Sequence, residues 1–172
     1  MKAILIMLAA LAFVAVASAQ DVTSNYDPTV DFSKFKTYKW VKIAGAEQVD
    51  DILNGQLTAA VDSQLAMKGF TKTDNDNADL YVGYQVAAKQ ERQLNAYGTG
   101  GLRWGGGFGT VTSSTLTNAS FALDMYDSAN KKMIWRGIAT KTIDPGASAE
   151  KRQKNIQKGA EKLLKNFPPK KK

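Results

Sequence analysis

The sequence predicts an α+β fold: a two-layer sandwich in which two helices lie on one face of a largely antiparallel sheet, in the order ββα-ββββ-α. Three observations predict it. Residues 47–68 and 148–167 repeat apolar side chains at three- and four-residue steps, the period of a one-sided helix. Several other segments alternate apolar and polar residues, the period of a strand with one buried face. Beyond an N-terminal apolar segment the chain runs for about 150 residues, the size of one domain with one core.

Lys2 precedes the apolar run Ile4 to Val16, and Ala17-Ser18-Ala19 supplies the small-x-small pattern that a signal peptidase reads. Residues 1–19 are therefore expected to be a signal peptide cleaved after Ala19, the mature chain starting at Gln20. The run is shorter than the roughly 20 apolar residues of a membrane span, so none is expected in the mature chain. DVTSNYDP reads as a short strand closed by a proline turn, and Phe35 to Ile43 as a second strand with apolar groups on both faces.

In the first helix Val49, Ile52, Leu53, Leu57, Ala60, Val61 and Leu65 form the stripe, and Gly69 stops it, since glycine accepts the left-handed conformation at little cost. Leu80, Val82, Tyr84, Val86 and Ala88 form one face of the next strand; Ala119, Phe121, Leu123 and Met125 form one face of another. DSANK turns that strand into a hairpin with Met133 to Ile143. The closing helix presents Ile156, Ala160, Leu163, Leu164 and Phe167, and Pro168-Pro169 forbids its continuation. Residues 20–169 thus read as a single domain, with 170–172 a basic tail.

Composition narrows the chemistry. The chain has neither cysteine nor histidine. It therefore lacks a thiolate nucleophile, a lipid-bearing cysteine, the commonest metal ligand and the commonest general base at neutral pH. The net charge of +7 is local: residues 148–172 hold nine Lys or Arg against Glu150 and Glu161, while residues 20–147 are nearly balanced. Lys151, Lys154, Lys158, Lys162 and Lys165 fall on the face of the last helix opposite its apolar stripe. Lysines at such spacing repel one another by about 0.2–0.5 kcal/mol per pair. An anionic partner would relieve that repulsion: lipid headgroups, an acidic envelope polymer or an acidic protein. The plainer alternative is a solvated helix face, and it is the favoured one.

GTGGLRWGGGFGT, residues 98–110, holds seven of the fourteen glycines. Its spacing fails the dinucleotide fingerprint, for Arg103 and Thr110 stand where the third glycine belongs; no Gly-Lys-Ser/Thr is present, and the next element is a strand. The stretch reads as a connector between two long strands. Its second reading is a contact loop in which Tyr97, Arg103, Trp104 and Phe108 stack on a sugar, peptide or lipid. TDNDNAD places Asp74 and Asp76 as a calcium loop would, but Ala78, Asp79 and Gln85 occupy positions where such a loop needs a ligand, a glycine and a bidentate glutamate, so it reads as a solvated turn. Asp79, Asp124 and Asp127 are the carboxylates placed beside strands; Asp127 is more simply a turn former and Asp124 a solvent-side residue.

As an ordered set, Tyr26-Asp27-Pro28, Asp31-Phe32-Ser33-Lys34, Lys36-Thr37-Tyr38-Lys39-Trp40, Gly69-Phe70, Ala78-Asp79-Leu80, Leu123-Asp124, Ile134-Trp135-Arg136-Gly137 and Phe167-Pro168-Pro169 resemble the bacterial domain-of-unknown-function family 4136, from about Val22 to Pro169. The resemblance implies a secreted or lipoprotein-like envelope protein of two-layer α/β shape and carries no catalytic residue. Many members bear a lipid-attachment cysteine that this chain lacks, which points to a free periplasmic or peripherally held protein. The motif residues read as structural: Trp40 and Trp135 cover a sheet, and Gly137 leaves room for a neighbour. The expected function is an exported, non-enzymatic binding or scaffolding module of the cell envelope, with no cofactor or metal and no nucleic-acid partner. The alternative is a hydrolase acting on an envelope polymer through strand-end carboxylates.

Overall fold

The computed structural model describes residues 21–47, 49–97 and 110–170, with side chains over 21–47, 49–92 and 115–170; the signal peptide assigned to residues 1–19 and the last two residues of the basic tail lie outside them. In chain order the elements are β1 (Asp21–Tyr26), a 3-10 turn (Phe32–Lys34), β2 (Thr37–Trp40), α1 (Asp51–Met67), β3 (Thr71–Lys72), β4 (Leu80–Tyr97), β5 (Thr110–Asp127), β6 (Lys132–Ile143) and α2 (Ala149–Leu164). They build one six-stranded sheet in the order β1-β6-β5-β4-β2-β3 with two helices, as the periodicities predict.

β1, β6, β5 and β4 pair antiparallel, whereas β2 runs parallel to both β4 and β3. The parallel edge results from connection length: β2 and β3 are joined through α1, and a crossover through a helix returns the chain in the same direction. β2 is also shorter than the Phe35–Ile43 expected, because after Trp40 only Val41 N–H continues toward β4, donating to Val82 O at 2.8 Å. The strand then passes so close over Gly83 that a Cβ there would stand 2.7 Å from Ile43 Cγ1 and 3.1 Å from Val41 O.

Both helices start on capping residues. Asp50 accepts Leu53 N–H at 2.9 Å, and Ser148 Oγ accepts Lys151 N–H at 3.2 Å, each satisfying one of the amides that a first turn leaves unpaired. Gly69 takes φ +84 beyond the end of α1, the left-handed stop expected of it. Ala60, Val61 and Leu65 of α1 and Ala160, Leu163 and Leu164 of α2 are buried against the sheet. Ile52, counted into the α1 stripe from its spacing, is instead 75% exposed, because it lies at the edge of the apolar arc and turns off the sheet in the first turn.

The sheet-side core is Leu80, Val82, Leu123, Met125 and Trp135. Rings close one end of it: Phe167 lies 5.4 Å from Phe70, 5.9 Å from Phe32 and 5.2 Å from Trp135, centroid to centroid, spacings at which aromatic pairs add to their burial. Gly137 is the close-approach point. A Cβ there would collide with the Trp135 ring and stand 2.8 Å from Leu163 Cδ1, so the room predicted for a neighbour is used by both.

Candidate binding surfaces

The lysine face forms as the period requires. With Ile156, Ala160, Leu163 and Leu164 turned to the sheet, Lys151, Lys154, Lys158, Lys162 and Lys165 all stand exposed. Lys151 Nζ pairs with Asp144 at 2.9 Å, and that amine holds the Asp144 carboxyl below the usual carboxylate range. Among the described residues, Lys154, Lys158, Lys162 and Lys165 make no ion pair with a carboxylate. Lys154 and Lys158 also border the outer groove between the helices, opposite Gln56, Ala59 and Ser63 of α1.

The glycine-rich stretch joins β4 to β5, and those strands pair from Leu80↔Asp127 out to Tyr97↔Thr110, well past Thr117↔Ile143, where β6 ends. Arg103, Trp104 and Phe108 lie outside the described residues, as does the side chain of Tyr97.

A third feature was not singled out from the sequence. Between the N-terminal halves of the helices and the sheet lies a mostly apolar cleft of about 300 Å³. Leu53, Leu57, Ile156, Val86 and Phe121 form its walls, and the small residues Ala119, Ala139, Gly159 and Ala160 leave the space open. Lys141 and Arg152 also line it, and Asp144 and Ile143 stand exposed at its rim. Lys141 occupies a helix-side position of β6, two residues after Ala139 and paired with Ala119. Burial lowers the Lys141 pKa, and the nearby charges of Lys151, Lys162 and Lys158 lower it further, with Asp144 opposing them. The Asp144 carboxylate is itself engaged by Lys151 Nζ and by Gly146 N–H at 3.0 Å. A sequence signal for this residue existed: in the run Trp135, Gly137, Ala139, Lys141, Ile143 it is a cation in an otherwise apolar alternation.

The three strand-associated carboxylates have separate tasks. Asp79 Oδ2 accepts the N–H groups of Lys36 and Thr37, both at 2.8 Å, and these amides hold its carboxyl below the usual range. Asp127 accepts Ala129 N–H at 2.9 Å and the Asn130 side-chain amide at 2.7 Å, the turn role expected of it. Asp124 is on the open face of the sheet, yet it is 0% exposed, correcting its reading as a solvent-side residue. Arg136 grips it through two nitrogens, at 2.5 and 2.7 Å, and Gln85 donates to it at 3.1 Å. Register brings this about, because Asp124 pairs with both Arg136 and Gly83 and so lies beside Gln85. In the acidic turn, Asp76 accepts Lys39 Nζ at 2.5 Å and its carbonyl accepts the Tyr81 hydroxyl at 3.0 Å. Among the described residues, no group of three or more acidic side chains converges as metal ligands would, and no helix is long and apolar enough to cross a membrane.

The fold has relatives among solved structures. A PDZ domain protein from Parabacteroides distasonis superposes with a TM-score of 0.57 at 13% identity, over 88% of this chain and 36% of that one, so the chain spans little more than a third of that protein. The PelC dodecamer from Paraburkholderia phytofirmans superposes with a TM-score of 0.52 at 10% identity, over 85% of this chain and 95% of that one. At such identities the likeness is one of fold. No curated protein matches the sequence. Residues 22–169 match the family described as Domain of unknown function (DUF4136), and the chain belongs to that family.

Proposed function

We propose that the chain is an exported, non-enzymatic binding module of the cell envelope whose α2 lysine face holds an anionic component of that envelope. One observation carries this reading: five lysines share one exposed stripe, and among the described residues only Lys151 is neutralised by an acidic neighbour. Like charges at this spacing cost the helix stability, and an opposing anionic surface turns that cost into attraction. The engagement of Asp79, Asp124 and Asp127 in separate structural hydrogen bonds supports a binding role over a carboxylate-driven hydrolase, since paired catalytic carboxyls need to face each other across a cleft. The Lys2-to-Ala19 leader pattern supports export.

The experiment is retention on phosphatidylglycerol vesicles and on purified peptidoglycan, each at low and high salt, with phosphatidylcholine vesicles as the neutral control. Retention on one anionic surface should weaken as salt rises, and the triple substitution Lys154→Gln, Lys158→Gln, Lys162→Gln should abolish it. Retention that ignores both salt and the triple substitution removes the lysine face from the function.

A further inference from the structure

We propose that the cleft between the helices and the sheet is a binding site for a single-chain anionic amphiphile, an acyl carboxylate whose chain lies against the apolar walls and whose head meets Lys141. The walls supply the first half of the match: Leu53, Leu57, Val86, Phe121 and Ile156 are apolar, and covering them removes apolar surface from water. A space of about 300 Å³ is at the lower end of small-molecule sites and suits one chain better than a two-chain lipid.

Charge supplies the second half. Lys141 sits partly buried in this lining, which Arg152 shares, and within the field of Lys151, Lys162 and Lys158. Among the described residues no carboxylate is bonded to it, since Asp144 is committed to Lys151 and to the Gly146 amide. A carboxylate head here gains a charge-assisted hydrogen bond and offsets the mutual repulsion of the surrounding cations. A neutral amphiphile gains neither, so the site discriminates by charge as well as by shape. The apolar lining lies under α2 and the lysine stripe on its exposed side, although Lys151, Lys158 and Lys162 of that stripe act on Lys141 through their charge.

The test is calorimetric titration of the full mature chain with dodecanoate at neutral pH, below its micelle concentration, with dodecanol as the neutral probe. Saturable binding of dodecanoate is expected, weaker for dodecanol. Lys141→Gln should weaken dodecanoate about tenfold or more while leaving dodecanol unchanged. Ala119→Phe, which fills the cleft, should abolish binding of both, with thermal melts reporting whether each variant stays folded. The Lys154, Lys158, Lys162 triple variant should still bind dodecanoate saturably, because Lys141, Arg152 and the apolar walls that line the cleft remain, which separates this site from the surface proposed above. Absence of saturable dodecanoate binding by the unaltered chain, equal affinity for the two probes, or a folded Lys141→Gln protein that binds dodecanoate as before would each overturn the proposal.

Discussion

The two faces of this sheet are held by different physics. On the helix side, Val82, Leu123, Met125 and Trp135 are packed under α1 and α2 with almost no exposed area. On the other side no helix lies among the described residues, and polar partners meet across the strands: Asp124 with Arg136 and Gln85, Ser120 with Thr140 at 3.1 Å, Asn118 with Thr142 at 2.7 Å. The covered face is sensitive to volume, because close-packed interiors feel even one added methylene. The open face is sensitive to pairing, because a buried polar group left without its partner keeps its full desolvation cost. Asp62 links the two logics. It lies on α1, yet it accepts the Tyr38 hydroxyl at 2.7 Å, the Trp40 indole N–H at 2.8 Å and Lys72 Nζ at 3.0 Å, so one carboxylate ties a helix to the parallel edge of the sheet.

The largest effect expected from this contrast is at Gly137. Gly137→Val places branched carbons where the Trp135 ring and Leu163 already sit, and should cost about 3 kcal/mol, read by chemical denaturation. A loss near zero would show that the covered face can repack and would weaken the contrast. Next is the open face. Arg136→Ala removes both guanidinium bonds from the fully buried Asp124 and should cost about 2 kcal/mol. A double-mutant cycle with Asp124→Ala should show that the two losses do not add, whereas simple additivity would mean that the pair is not coupled.

The smallest effect has the opposite sign and sharpens the comparison where a cation intrudes on the covered face. Lys141→Met removes a partly desolvated charge from the cleft and should stabilise the protein by about 0.5–1 kcal/mol at neutral pH. The sign with pH is fixed by the direction of the shift. The folded-state pKa of Lys141 lies below its unfolded value of 10.5. Between those two values the unfolded chain binds more protons, so the stability of the unaltered protein rises with pH there. The advantage of the Met variant is therefore complete below the folded pKa and shrinks as pH climbs toward 10.5. A destabilised Lys141→Met protein would mean that the lysine is a structural strut and not a charge held ready for a ligand.

How much of this was legible depends on the range of the interaction. The apolar stripes of α1 and α2, on which Leu163, Leu164 and Phe167 fall, and the stop at Gly69 stem from residues near one another in sequence. Ile52 misled because apolar spacing alone does not say where the arc facing the sheet ends. The Asp124–Arg136 pair was hidden because its register depends on the turn at DSANK and on the irregularity between Met125 and Tyr126, where Ile134 is the extra residue of β6. Lys141 could be noticed as an odd residue in its strand, but its meaning comes from α2, whose lysines are brought near it only when the helix docks.

By itself the sequence determined the periods: where the two helices and the long strands run, which side of each is apolar, and that the positive charge gathers on one helix. These are set by backbone geometry within a few residues, so they survive without knowledge of the partners. The strand order β1-β6-β5-β4-β2-β3, the burial of Asp124 and the open cleft beneath the helices were decided only by the tertiary structure. Register, burial and empty volume arise from groups far apart in the chain, and they acquire values only when the helices and the sheet are pressed together.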